Sequence, residues 1–223
     1  GGFLSALIVA YVGLERAEGE LSKAHTNRYA SYLLADELRQ SSDDLTRLAR
    51  TYTVTGDERY EKQYNDIVDI RAGKKPRPVD YNRIYWDFVA ATGEKPRGDG
   101  ETIALLDLMS RTGFTKQELA KLSEAAAKSD GLVKLEVEAM NAVKGLFADA
   151  AGNFTVKKAP DLALARDLTH SAKYHTLKAG IVKPIDDFYL LLDERTGGAV
   201  ADAQHTKNIY SWIMVALIAM VSP

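Results

Sequence analysis

The sequence predicts an all-α chain: an elongated helical bundle whose first and last long helices lie antiparallel, with a distal cap of shorter helices between them. Three observations predict it. From Glu15 to Tyr52 there is no proline and only Gly19 interrupts, while Leu34, Leu38, Ser41, Leu45, Leu48 and Tyr52 recur at alternating four- and three-residue steps, the seam of a helix bundle. No run alternates convincingly at period two, so no strand is expected. Uncharged apolar runs stand near both ends, FLSALIVAYVGL over Phe3–Leu14 and IYSWIMVALIAMV over Ile209–Val221; for both to meet one surface the chain must go out and return.

Each element follows from local chemistry. At 1.5 Å per residue the first helix, Glu15 to Tyr52, spans roughly 57 Å. Thr55-Gly56-Asp57 supplies a turn and an N-cap for a second helix with Tyr60, Tyr64, Ile67 and Ile70 on one face, ending near Gly73. The stretch KKPRP over Lys74–Pro78 is a loop, because its prolines lack donors and push the preceding residues to extended geometry. Tyr81–Thr92 predicts a short aromatic helix closed by Gly93, and Thr102–Arg111 another ending at Gly113. Thr115 and Glu118 form a T-x-x-E capping box opening a long helix to about Phe147. Leu119, Leu122, Leu132, Leu135, Val137, Met140 and Val143 are its expected apolar positions. Asp149–Pro160 reads as a loop. Asp161 starts the last helical region, which Pro184 kinks and Gly197-Gly198 weaken. The long helix from Thr115 and the Asp161–Lys183 stretch complete a four-helix arrangement, and 57–112 forms the cap.

Composition narrows function. The 223 residues are 46% hydrophobic and 27% charged, enough for a sizeable core, and the formal net charge of -2 offers no bulk attraction to nucleic acid. With no cysteine there is no disulfide, thiol nucleophile or cysteine-ligated metal. His170 and His175 are five apart, poorly placed for one helix face, so no metal site is expected. No glycine-rich phosphate loop, G-x-S-x-G or H-E-x-x-H occurs, and Asp43-Asp44 and Asp186-Asp187 are adjacent pairs that read as solvated faces. No catalytic residue and no cofactor is expected. Each apolar run is shorter than the ~20 residues that span a bilayer. Their position near the ends and the flanking Tyr11, Tyr210 and Trp212 nevertheless read as parts of two membrane helices, with a pairing of two apolar helical ends as the alternative.

One constellation stands out. Arg71, Lys74, Lys75, Arg77 and Arg83 gather around the proline loop, interleaved with Tyr81, Tyr85 and Trp86. Guanidinium donors beside aromatic walls suit a small, anionic ligand. The competing reading pairs Arg71 and Arg83 with Asp69, Asp80 or Asp87 and packs Trp86 and Phe88 into the core of the cap. A second candidate pocket lies between long helices. Pro184, Gly197 and Gly198 are the expected points at which a ligand-induced displacement of the last helix is transmitted.

The segments ELRQSSDDLTRLARTYTVTGDERY, IRAGKKPRPVDYNRIYWDF, MSRTGFTKQELAKL, SDGLVKLEVEAMNAVKG and KPIDDFYLLLDERTGGAV resemble the periplasmic helical sensor region of bacterial methyl-accepting chemotaxis proteins and related transmembrane signalling receptors. The likeness covers most of the chain, and IRAGKKPRP with YNRIYWDF is its most specific part. It implies a homodimer at the inner membrane with residues 15–208 in the periplasm, between membrane helices ending at residue 14 and starting at 209. It assigns no ligand. The alternative role is a membrane-tethered helical scaffold or partner-binding domain.

Overall fold

The computed structural model describes residues 2–220, apart from one side chain at position 130. The expected membrane segments therefore extend at Gly1 and from Val221 onward outside the described residues. The chain is mostly helical, with seven helices and one two-stranded sheet among the described residues: α1 (Gly2–Thr55), α2 (Glu58–Arg71), α3 (Trp86–Thr92), α4 (Leu105–Arg111), α5 (Lys116–Val143), β1 (Leu146–Ala148), β2 (Phe154–Lys157), α6 (Leu162–His170) and α7 (Ala172–Ala219). Two compact units divide it, one of residues 1–32 with 189–223, the other of residues 33–188.

The first unit is built from the two long helices. On α1, Leu7, Ala10, Leu14, Ala17, Leu21 and Ala24 form the less exposed stripe, stepping by three and four. Small residues let the backbones approach, and the Tyr210 ring lies where a Cβ on Gly13 would stand. Glu18 meets Lys207 at 3.2 Å, Arg28 meets Asp193 at 2.6 Å, and the Tyr32 and Tyr189 rings lie 6.2 Å apart. Numbers rise on α1 as they fall on α7, so within this unit the helices run in opposite directions. Leu4, Ile8, Val9 and Tyr11 on α1 and Trp212, Val215, Ile218 and Met220 on α7 are exposed, whereas Tyr210, Met214 and Leu217 are half-buried. Among the described residues, no helix is long and apolar enough to cross a membrane.

In the second unit the seam residues read from the sequence, Leu34 to Tyr52, are all 9% exposed or less. The seam of α5 is more polar than its apolar residues suggested: Glu118, Leu122, Ala125, Ser129, Leu132, Glu136 and Ala139 are buried at four-three steps, with Met140, as expected, and Ala142 buried beside them. Glu136 accepts hydrogen bonds from the Tyr64 hydroxyl of α2 at 2.6 Å and the Tyr174 hydroxyl of α7 at 2.5 Å. Burial raises its pKa against the pull of those donors, and burial ahead of the Glu136 charge pushes both tyrosine hydroxyls up. Lys178 donates to the Ser42 carbonyl and hydroxyl on α1, and Arg50 lies 4.8 Å from the Tyr174 ring centre. A polar knot thus ties α1, α2, α5 and α7.

Several expectations are corrected. The capping box is present, with the Glu118 carboxylate accepting from the Thr115 amide at 2.7 Å. The α5 helix nevertheless stops at Val143, because Gly145 at φ 70 turns the chain into a hairpin, so the fold is not purely α. Its turn within the expected 149–160 loop is held by Asp149, whose carboxylate accepts from the amides of Ala151 and Asn153 and the Thr155 hydroxyl. Short, half-buried strands of three and four residues leave little alternation to read. The last region is split: α6, capped by Asp161, ends at extended Ser171, and α7 then continues through Pro184, Gly197 and Gly198 as one helix. On α7 the protected positions advance by four and three as far as Leu192, then by four and four through Thr196 to Val200. That eleven-residue step to Ala203, a stutter in the heptads, contains both glycines.

Candidate functional site

Chain geometry between α2 and α4 brings two loops together. Asp57 caps α2 by accepting from the Arg59 amide at 3.0 Å. After Arg71 the chain turns at Gly73 (φ 69), where a Cβ would crowd the backbone of Ala104. The proline loop then pairs with the segment beyond α3: the Arg77 amide donates to the Glu101 carbonyl at 2.9 Å and the Val79 amide to that of Gly98 at 2.9 Å. Arg97 clips the following turn from outside. Its guanidinium donates to the carbonyls of Val79, Arg83 and Ile84 and lies 5.6 Å from the Tyr85 ring centre. The turn itself holds Asp80 at φ 51, a conformation aspartate tolerates. These bonds replace the first turn of the expected Tyr81–Thr92 helix, which begins only at Trp86.

The predicted aromatic residues converge, and Lys75 lines a groove with Tyr85 and Trp86, whereas Arg71, Lys74, Arg77 and Arg83 do not join them. Tyr81, Tyr85 and Trp86 are 8%, 4% and 5% exposed and pack edge to face, with Tyr85 and Trp86 centres 5.0 Å apart at 76°. The Trp86 indole donates to the Tyr81 hydroxyl at 2.8 Å, whose pKa burial pushes up. Phe88, expected in that core, is 50% exposed. Arg77 is drawn away to α1, where it pairs with the buried Glu37, its Nε donating at 3.2 Å. Arg83 faces solvent 3.7 Å from Asp80, and Lys74 is exposed. Arg71 lines a separate cavity of about 190 Å³ with Leu38, Leu105, Leu122 and Ser129.

Tyr85 and Trp86 instead line a groove of about 470 Å³ together with Arg59, Lys62, Gln63, Asp66 and Ile70 of α2. Ile70, Pro76 and Val89 continue its apolar wall, and its rim carries Arg59, Lys62, Lys75 and Lys95 with Asp66 and Asp99. Lys75 bridges Asp66 and Asp69 at 2.6 and 3.1 Å, and Lys95 binds Asp99 at 2.7 Å. Those carboxylates hold the two ammonium groups in place and raise their pKa. A recess on the other side of the trio, near Glu37 and Asp44, encloses about 10 Å³, no more than one water. Sequence reasoning missed Gln63, Lys62, Lys95 and Arg97. The one available signal was Gln63, a polar residue on the apolar stripe of α2.

In comparisons with family models, with curated proteins and with solved structures, nothing matches this chain.

Proposed function

We propose that this chain is the extracytoplasmic sensing region of a transmembrane receptor of the chemoreceptor type. It stands in the periplasm on the inner membrane as a homodimer and passes a ligand-induced helix displacement to a cytoplasmic signalling region. The pair of apolar helix segments in the first unit carries this reading. On α1 Leu4, Ile8 and Val9, and on α7 Trp212, Val215 and Ile218, are 54% to 73% exposed. Leaving such side chains in water forgoes roughly 1.5–3 kcal/mol each, and lipid supplies the missing burial. The contact of Tyr210 with Gly13 sets the two segments side by side, as an out-and-back bundle on one membrane requires.

The rest of the chain fits the same role. Opposed α1 and α7, joined by α2 and α5 around Glu136, suit an antiparallel four-helix bundle with the loops around α3 and α4 as its cap. The stutter at Gly197-Gly198 and the proline at 184 are sites where α7 yields to a small shift or rotation. A scaffold that docks a partner helix on the exposed stripes is the alternative; the groove beside Trp86 favours sensing.

Flotation with phosphatidylcholine–phosphatidylglycerol vesicles tests the reading. The full chain is expected to rise with the lipid, and a variant carrying Leu4→Glu, Val9→Glu, Trp212→Glu and Val215→Glu to stay in the dense fraction with unchanged helicity. Wild-type protein that remains below the vesicles contradicts a membrane-seated sensor.

A further inference from the structure

Four helices of the second unit meet around a hollow. Leu38 and Leu45 of α1, Val68 of α2, Leu105 of α4, and Leu122 and Val133 of α5 line a cavity of about 190 Å³. The four leucines are 5% exposed or less, so the walls belong to the buried core. Close-packed interiors hold few voids larger than a water, and a hollow of this size leaves its walls without packing partners on one side. Water is a poor occupant. It needs roughly two to four polar partners, and of the described residues that line the cavity only Arg71 and Ser129 are polar.

Those two polar residues set the charge of an occupant. Arg71 already has a partner of its own, so a carboxylate entering the cavity gives up its water without gaining a free counter-charge. Ser129 is 8% exposed, and its hydroxyl makes no hydrogen bond to a described residue. Unlike Gln63 Oε1, it is not sealed from its surroundings. One small hydrogen-bonding group therefore has a place to go. Size sets the rest. An engineered cavity of about 150 Å³ in another protein binds benzene, so about 190 Å³ accommodates one such ring with a small substituent. A rigid ring also loses little conformational freedom on confinement.

We infer that this cavity binds a small uncharged ring compound carrying one hydroxyl: the ring against Leu38, Leu45, Leu105 and Leu122, the hydroxyl on Ser129. The site stands on the cavity alone, whereas its meaning as a signal rests on the sensing role proposed above, which it supplies with a ligand class. An ionised ring acid is excluded by the cost of its buried charge. A ring without the hydroxyl still fills the space but gains nothing from Ser129.

The test uses the full chain with ¹³C-labelled leucine and valine methyls, titrated at neutral pH with phenol, its near-isostere toluene, and benzoate. The expected result is saturable shifts at the methyls around the cavity with both neutral rings, and at least tenfold weaker binding of benzoate. Ser129→Ala should weaken phenol about fivefold, the worth of one hydrogen bond, and leave toluene unchanged. Ala126→Leu, which fills part of the cavity, should weaken both rings at least tenfold with helicity unchanged. No saturable shift with either neutral ring, benzoate binding as tightly as phenol, Ser129→Ala changing phenol and toluene alike, or an Ala126→Leu protein that binds as wild type overturns the assignment. Failed binding with intact vesicle flotation removes the ligand class alone; binding with failed flotation keeps the cavity site and removes the membrane sensor.

Discussion

Replacing Arg77 by Met isolates the buried charge that anchors the proline loop to α1. The Glu37 side chain is 5% exposed and that of Arg77 20%, so the substitution removes the counter-charge while the aliphatic stem is kept. Breaking a buried pair by deleting one partner costs about 3–5 kcal/mol, and the residual access of Arg77 to water puts the expected loss near the low end, about 3 kcal/mol at neutral pH. Each kcal/mol moves the midpoint of a unit this size by about 2–4 °C, giving a fall of about 6–12 °C. The loss carries a pH signature. Burial already raises the Glu37 pKa above its ordinary 4.5, and Arg77 opposes that rise. A raised carboxyl contributes stability below its unfolded value and loses it as pH climbs through the folded one. Without Arg77 the folded value rises further, so the deficit is large at neutral pH and shrinks toward zero below 4.5. Thermal unfolding of wild type, Arg77→Met, Glu37→Gln and the double variant across this range reads it directly, with the double variant recovering most of the loss. A deficit under about 1 kcal/mol, or one that is flat with pH, refutes the buried-pair argument.

Two other outcomes follow from the polar knot and the cap. Tyr64→Phe removes one donor from Glu136, and its cost in chemical denaturation should grow with pH, from about 1 kcal/mol when the carboxyl is protonated to about 1.5–3 kcal/mol when it is charged. Thr115→Ala opens the capping box of α5 and should lower the urea midpoint by the equivalent of about 1 kcal/mol without changing the slope.

Helices were readable from sequence where periodicity was long and apolar, and the seam from Leu34 to Tyr52 is the clearest case. The capping box at Thr115 and the cap at Asp57 were equally legible, because both are local. The polar positions of the α5 seam were not. Glu136 satisfies its carboxylate through Tyr64 and Tyr174, partners that only folding brings near, so the sequence presented it as a surface charge. The hairpin after Val143 is set by Gly145 and the Asp149 turn rather than by strand propensity, and its short strands carry no periodic signal. At the candidate site the aromatic trio was anticipated, whereas the cations were read by proximity in sequence. Arg77 reaches back to α1 and Arg71 faces a different cavity, while Lys75 does reach the groove, whose rim Arg59, Lys62 and Lys95 complete. Gln63 was discoverable only as a polar residue interrupting an apolar stripe.

Nitroxide labels placed one at a time at Leu4, Val9, Trp212 and Val215 in vesicle-bound protein, with Lys62 as a reference, measure collision with oxygen against a water-soluble nickel complex. Seating of both apolar segments in one bilayer predicts oxygen-favoured collisions at all four positions, matching depths for the α1 and α7 members, and a water-like ratio at Lys62. Nickel-favoured collisions at the four positions, or lipid depth on one helix and water on the other, contradict it.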